Sequence, residues 1–164
     1  MIRAAIVTVS DSVTAGTRED RSGAVLRARV EALGWQVTAQ EIVPDELDRI
    51  ASVLTRLADS GQVSLILTTG GTGIAARDIT PEAARSLIER EIPGLGEMMR
   101  AEGRKLTPFA ALSRSMAGVR GQVLIVNLPG SPKGALESLD AIVQLIPHII
   151  DLIEGRTGHG SVPN

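Results

Sequence analysis

A loop rich in glycine and threonine is the part of the sequence whose residue types most clearly suggest chemistry. The apolar run 65–67 leads into Thr-Thr-Gly-Gly-Thr-Gly at 68–73, and Asp78 and Thr80-Pro81 follow. Glycines let main-chain N–H groups approach a ligand, and Thr-Pro is typical of a helix start, where free N–H groups favour anions. Asp78 would repel a phosphate unless a cation lay between them. The loop therefore predicts a metal-bridged phosphate site.

Three further polar segments each follow a predicted strand. They are Ser10-Asp11-Ser12, Pro44-Asp45-Glu46 and the segment from Asn127 to Lys133. In open parallel α/β sheets, ligands bind beyond the carboxyl ends of the strands. We therefore expect these segments and the glycine loop to line one crevice.

Several of these residues have two interpretations on sequence alone. Asp45 is at a predicted helix start, so it either caps that helix or joins Asp78 in holding Mg²⁺. Ser131-Pro132 is equally typical of a helix start, whereas Lys133 so close to that start is better explained by an anionic ligand. The spacing Gly71-x-Gly73-x-x-Ala76 also fits a relaxed dinucleotide fingerprint, but the loop does not open a helix at once, which argues against a dehydrogenase.

Apolar, β-branched segments alternate with helical patterns along the chain, which predicts an α/β fold with a mostly parallel sheet. The predicted strands cover Arg3–Val9, Trp35–Ile42, Ser64–Thr69 and Gln122–Leu128. Helices are predicted around 26–33 and 47–57, from Pro81 to about Glu89, from Leu95 to about Lys105, and from Ser131 onwards with a kink or division at Pro147. We expect one domain over 1–154 and a flexible Gly-rich tail over 155–164.

Composition argues against several classes of protein. The formal net charge is −2, with one Trp, one Phe and no Tyr, so neither a basic surface nor an aromatic platform for nucleic acid is expected. The absence of cysteine excludes disulfides and thiolate metal sites, and His148 and His159 lie in unrelated contexts. The apolar run 4–9 is too short for a signal peptide or membrane span. We expect a cytoplasmic protein that binds neither nucleic acid nor membranes.

The order and spacing of the motifs identify a family. From Ile2 to Glu154 the chain resembles the MogA/MoaB family and is similar to the G domain of gephyrin. The motifs that carry the resemblance are TVSDS at 8–12, DRSG at 20–23, VPDE at 43–46, TTGGTG at 68–73, RDITPE at 77–82, PGLGE at 93–97, LSR at 112–114 and NLPGSPKG at 127–134. One departure is Ile74-Ala75-Ala76, where the family often has an aromatic residue or a proline.

The resemblance implies a three-layer αβα sandwich that forms a homotrimer in molybdenum cofactor biosynthesis. It also implies Mg²⁺-dependent transfer of AMP from ATP to the terminal phosphate of molybdopterin, before a MoeA-like protein inserts molybdate. Asp45 and Asp78 match the family's functional aspartates, as catalytic residues and metal ligands. Taken with the strand ends, the candidate substrate-binding residues are Ser10, Asp11, Ser12, Thr69, Gly70, Gly71, Thr72, Gly73, Glu97, Ser113, Asn127, Pro129, Gly130, Ser131 and Lys133.

Two alternatives to the enzyme follow from the same resemblance. Some members of the family bind molybdopterin without efficient adenylyl transfer, although the presence of both Asp45 and Asp78 argues against simple loss of activity. Gephyrin-type domains trimerise to scaffold a larger protein, a use that needs fused partner domains. The sequence favours the enzyme.

Overall fold

The structure, a computed structural model, describes residues 1–156. Its strands are β1 (Arg3–Val9), β2 (Gln36–Val43), β3 (Leu65–Thr69), β4 (Arg90–Glu91), β5 (Ala117–Arg120) and β6 (Val123–Leu128). Its helices are α1 (Asp11–Thr14), α2 (Arg21–Ala32), α3 (Leu47–Asp59), α4 (Thr80–Arg85), α5 (Pro93–Arg104), α6 (Pro132–Ile142) and α7 (Ile146–Ile153), with a 3₁₀ helix over Pro108–Leu112. His159 and most of the predicted tail lie outside the described residues.

The strands of the described residues form one six-stranded sheet, in the order β2-β1-β3-β6-β5-β4. Strands β2, β1, β3 and β6 are parallel, as predicted. β5 runs antiparallel to β6, and the two-residue β4 pairs antiparallel with β5. These last two strands were not predicted, because they are short and one of them is exposed on both residues.

Two buried clusters, one on each face of the sheet, give the three layers expected from the family resemblance. On one face, side chains from α2, α5, α6 and α7 cover residues such as Ile6 and Leu67. On the other face, α3 and α4 cover residues such as Val7 and Ile66. Burial of these aliphatic side chains is the main force that holds the layers together. The αβα sandwich is thereby confirmed.

Two helical segments illustrate how local residues set element ends. The helix predicted from Pro81 to about Glu89 ends at Arg85. It ends there because the Ser86 hydroxyl donates to the Ala83 carbonyl and the Glu89 N–H donates to the Val119 carbonyl of β5. The final helix is divided as predicted, and Pro147 falls in the first turn of α7, where its missing N–H costs nothing. No helix within residues 1–156 is long and apolar enough to cross a membrane.

Candidate functional site

Two adjoining cavities open at the carboxyl edge of the parallel strands. The first, here the carboxylate cavity, measures about 390 Å³ and is bordered by Asp45 and Asp78. The second, here the apolar cavity, measures about 430 Å³ and is bordered by Ile74 and Phe109 among others. Both cavities include Gly130 and Ser131 in their walls. A ligand with two chemically different parts could therefore occupy them together.

The glycine loop forms the floor between the strand ends, and its glycines are required by close approach. Gly70 has φ +105°, its N–H donates to the Leu128 carbonyl at 3.1 Å, and a Cβ there would lie 2.2 Å from the Val9 carbonyl oxygen. Gly71 has φ +67°, and its Cβ would lie 2.2 Å from Thr80 Oγ1. Only glycine combines a positive φ with contacts this short. The loop is thus fixed against β1, β6 and the start of α4.

Asp45 does not cap the helix that follows it. The residue before α3 is Glu46, whose side chain makes no capping hydrogen bond. Instead, Asp45 Oδ2 accepts the main-chain N–H of Asp11 at 2.9 Å, and Asp11 Oδ1 accepts the main-chain N–H of Asp45 at 3.0 Å. The interpretation of Asp45 as the cap of its own helix is therefore wrong. Its carboxylate is instead held in the wall of the carboxylate cavity, beside Asp11.

The two carboxyl groups of this pair have opposite electrostatic surroundings. The Asp11 carboxylate also accepts two bonds from Arg77, from Nε at 2.6 Å and from Nη2 at 3.0 Å, and these bonds lower the pKa of Asp11. The pKa of Asp45 is raised, mainly because burial disfavours its charge and also because Asp11 and Asp78 repel it. Asp11 is thus paired directly with Arg77, whereas Asp45 borders the cavity and feels the same guanidinium only through space.

Asp78 approaches the same loop from its other end. Its Oδ2 accepts the Ala75 N–H at 2.9 Å, and a Cβ on Gly73 would lie 2.7 Å from this oxygen. A Cβ on Gly71 would likewise lie 3.2 Å from Asp45 Oδ1. Both carboxylates therefore border the glycine loop and the same cavity, as the sequence predicted.

This donor set fits a hard cation with an incomplete protein shell. Among residues 1–156, no group of three or more His, Cys, Asp or Glu side chains could hold a metal ion. Two carboxylates with repelling charges, Asp45 and Asp78, can nevertheless hold Mg²⁺ when phosphate oxygens and water complete its shell. The raised pKa of Asp45 agrees with a site that a cation would stabilise.

The cationic residues of the carboxylate cavity are Arg18 and Arg21, which sequence reasoning missed. Arg18 lies in the segment between α1 and α2 and carries no sequence signal of its own, whereas Arg21 begins α2 and belongs to the DRSG motif at 20–23. Lys133, which was expected to meet the ligand, does not border either cavity; its side chain is 82% exposed and lies 3.7 Å from Glu137. Because Glu137 is one turn further along α6, it offsets the unfavourable position of Lys133.

The other expected substrate-binding residues divide into three groups. Cavity walls include Ser10, Thr69, Gly70, Gly71, Thr72, Gly73, Ser113, Pro129, Gly130 and Ser131. Asp11, Ser12 and Asn127 support these walls from behind: Ser12 pairs with Ser10 at 3.2 Å, and the buried Asn127 donates to Thr68 at 3.0 Å. Glu97 borders two separate hollows beside α5, outside both cavities.

Several polar side chains border the apolar cavity, and two of its serines are engaged within the protein. Ser131 Oγ caps α6 by accepting the Gly134 N–H at 3.0 Å, and Ser113 Oγ donates to Ser115 Oγ at 2.9 Å. By contrast, Phe109 is 76% exposed and Ile74 is 72% exposed, so large apolar surfaces stand open to solvent at this wall. Such a surface suits a flat organic ring system.

Comparison with known proteins gives a consistent match over nearly the whole chain. Residues 5–148 match the family described as "Probable molybdopterin binding domain". The chain is 42% identical to a molybdopterin adenylyltransferase of Helicobacter pylori, over 94% of this chain and 89% of that protein. It is 37% identical to gephyrin of Dictyostelium discoideum, over 92% of this chain and 22% of gephyrin. The crystal structure of the molybdopterin biosynthesis enzyme MoaB from Thermus thermophilus superposes with a TM-score of 0.89 at 52% identity, covering 94% of this chain and 98% of that one.

Proposed function

Because the chain belongs to the molybdopterin-binding domain family, we propose that it is a molybdopterin adenylyltransferase, which transfers AMP from ATP to the terminal phosphate of molybdopterin. The observation that carries this proposal is the position of Asp45 and Asp78 on one glycine-lined cavity that adjoins a second, apolar cavity. The curated relatives named for this activity, from Helicobacter pylori and Escherichia coli, match nearly the whole chain.

The reaction joins two polyanions. An oxygen of the molybdopterin phosphate forms a bond to the α-phosphorus of ATP, the bond from that phosphorus to the β-phosphate oxygen breaks, and pyrophosphate leaves. The attacking phosphate is already ionised near neutral pH, so no side chain has to remove a proton. Catalysis therefore depends on positioning and on neutralising charge.

Asp45 and Asp78 would hold Mg²⁺ against the phosphates of ATP. The ion would supply positive charge to the phosphate oxygens during transfer. Arg18 and Arg21 border the same cavity and would neutralise the phosphates that leave as pyrophosphate. The glycine loop provides the close main-chain approach that phosphates require. The tricyclic pterin part would then lie in the apolar cavity, against Phe109 and Ile74.

A direct assay tests this function. Purified protein is incubated with molybdopterin and Mg-ATP while adenylylated pterin and pyrophosphate are measured, with Asp45→Ala and Asp78→Ala as variants and Asp140→Ala as a matched carboxylate control. Asp140 pairs with Arg29 away from both cavities. We expect product from the parent and from the control, and none from the two site variants. Equal product from all four proteins would contradict the assignment of the acidic pair.

The alternative is a MoaB-type protein that binds molybdopterin without transferring AMP. The chain is 52% identical to a structure named MoaB, and that name, which describes a biosynthesis enzyme, does not separate the two functions. Tight pterin binding with no adenylylated product, at any ATP or Mg²⁺ concentration, would favour it over the enzyme.

We also propose that the protein is a cytoplasmic homotrimer whose product passes to a MoeA-like molybdate-insertion protein, as the family resemblance implies. Light scattering tests the trimer, and a monomer mass at working concentration would contradict it. Product transfer is tested by mixing the protein that holds its adenylylated product with such an insertion protein and molybdate.

A further inference from the structure

Arg114 contacts both the glycine loop and the residues that follow it. Its Nε donates to the Gly73 carbonyl at 2.8 Å, its Nη2 donates to the Asp78 carbonyl at 2.5 Å, and its main-chain N–H donates to the Thr72 carbonyl at 2.8 Å. The same guanidinium pairs with both carboxylate oxygens of Glu82, in the first turn of α4. One side chain thus links Gly73, at the end of the glycine loop, and Asp78 to the helix that follows them.

The direction of β5 explains how Arg114 reaches this position. β5 is antiparallel to β6, with Ala117 paired to Val126, so β5 begins where the parallel strands end. The residues just before β5 therefore lie at the carboxyl edge of the sheet. Ser113 borders the apolar cavity, and Arg114, the next residue, holds the loop of the carboxylate cavity. The two cavities are connected through adjacent residues.

We propose that Arg114 is a positioning residue that fixes the Asp78 carboxylate for the metal-bound phosphates; this rests on the adenylyl transfer proposed above. Arg114 touches main-chain oxygens and Glu82, so it acts through the loop and not on the substrate. The Asp78 carboxylate packs against Gly73, since a Cβ on Gly73 would lie only 2.7 Å from Asp78 Oδ2. The position of the carboxylate therefore depends on how the main chains at 73 and 78 lie relative to each other. Because one planar guanidinium binds both the Gly73 and the Asp78 carbonyl, it fixes these two main-chain segments relative to each other.

The shape of the guanidinium matters to this role. Arginine presents several donors in a fixed planar fork, whereas the lysine ammonium is a single compact charge. Lysine at 114 could keep the ion pair with Glu82 but could not reach the Gly73 and Asp78 carbonyls in the same geometry. Arg114→Lys therefore keeps the positive charge at 114 and removes the bonds that position the loop.

The chain offers a matched control in Arg120. Its guanidinium also pairs with a carboxylate through two nitrogens, to Asp59 at 2.9 Å each, and donates to a carbonyl, that of Leu87, at 3.0 Å. It borders neither cavity. Arg120→Lys therefore makes the same chemical change at a similar bonding pattern, away from the site.

The test compares the parent, Arg114→Lys and Arg120→Lys by two measurements. In steady-state kinetics, Arg114→Lys should lower kcat by about 10- to 100-fold, as loss of an outer-shell partner does. It should also raise the Mg²⁺ concentration for half-maximal rate, while Arg120→Lys changes neither. In hydrogen exchange, the Ala75 and Asp78 amides should exchange faster in Arg114→Lys while the amides of β1 and β3 keep the parent's rates.

Each negative outcome has a definite meaning. Unchanged exchange at residues 75 and 78 in a folded Arg114→Lys protein would overturn the positioning role, whether or not the enzyme turns over. A fall in kcat with no change in the Mg²⁺ requirement would assign Arg114 a general structural role and would also overturn it. If the parent makes no product, the proposed function fails, and the exchange measurement still decides whether Arg114 holds the loop.

Discussion

Asp11 and Asp45 hold each other by two reciprocal bonds, in which the main-chain N–H of each residue donates to the carboxylate of the other at 2.9 and 3.0 Å. The arrangement joins the segments that follow β1 and β2 beside the carboxylate cavity. It also places two acidic groups side by side. Arg77 bonds directly to Asp11 and attracts Asp45 only through space, so the Asp45 carboxylate is less compensated than that of Asp11 and can attract a further cation.

Replacing the acidic pair by isosteric amides should abolish chemistry and leave the fold intact. Asp45→Asn and Asp78→Asn can each keep a hydrogen bond to the neighbouring N–H through the amide oxygen, but they lose the charge that holds Mg²⁺. We expect the adenylyl-transfer rate to fall by more than about 100-fold. Initial rates with molybdopterin and Mg-ATP, together with circular dichroism melts, check this. Asp140→Asn is the control, and a full rate in Asp78→Asn would disprove the metal assignment.

Removing Arg77 should move the acidic limb of the pH–rate profile to higher pH. The Arg77 guanidinium attracts the Asp45 carboxylate and so opposes the repulsion from Asp11; without it, the pKa of Asp45, already raised, rises further. An acid of higher pKa is ionised only at higher pH, so activity is lost sooner on acidification. The profile of kcat/KM for Arg77→Ala is compared with that of Arg27→Ala, an exposed arginine paired with Glu31. Superimposable acidic limbs in the two variants would refute the idea.

Adding a methyl group to the glycine loop should lower the free energy of unfolding by more than the strain of a positive φ alone. Gly71 and Gly121 both have positive φ, at +67° and +54°, but a Cβ at 121 meets nothing within 4 Å. We expect Gly121→Ala to lose about 1–2 kcal/mol of unfolding free energy from strain. Gly71→Ala should lose about 1–3 kcal/mol more, since its Cβ displaces Thr80. Urea denaturation measures the unfolding free energy of both variants. Equal losses would mean that the loop shifts to accommodate the methyl group at 71, and would contradict the prediction.

The ion pair of Glu82 with Arg114 should stabilise the protein at neutral pH and stop doing so in acid. The bonds from Arg114 lower the pKa of Glu82 below its usual value of 4.5. A depressed carboxyl pKa contributes stability above the unfolded value, and that stability is lost as the pH falls through the folded value. Glu82→Gln should therefore cost about 0.5–1 kcal/mol at pH 7, because the pair is partly exposed, and less in acid. Unfolding free energies over a pH series test this, and a cost that stays constant into acid would contradict it.

Most of the fold could be predicted from residue patterns because its parallel strands are strongly apolar. The bounds of β1 were predicted without error, and β3 and β6 differ from prediction by one residue at their start. β4 and β5 were missed because a pair such as Arg90-Glu91 carries no strand signal and becomes a strand only by pairing with Val119 and Gly118. Their pairing is a tertiary effect that no local pattern records.

The site was predicted where residues follow strands and was missed where it depends on distant partners. The glycine loop, Asp45 and Asp78 lie at the expected edge because parallel strands share their carboxyl ends. The engagement of Asp11 by Arg77, 66 positions away, could not be read from either residue. Nor could the reach of Arg114, since it depends on the direction of the unpredicted β5. Lys133 lies outside both cavities beside Glu137, a proximity that its own sequence context does not indicate.

The contact between Gly70 and Gly130 also governs when the site can exist. A Cβ on Gly130 would lie 3.2 Å from the Cα of Gly70, and the Gly70 N–H is paired with the Leu128 carbonyl. The floor of the site is therefore completed by a segment that is synthesised sixty residues after the loop it touches. Since domains fold as units while the chain emerges from the ribosome, a nascent chain that lacks β6 should have no substrate affinity. Ligand binding by this domain would begin only after the segment that contains Gly130 has been synthesised.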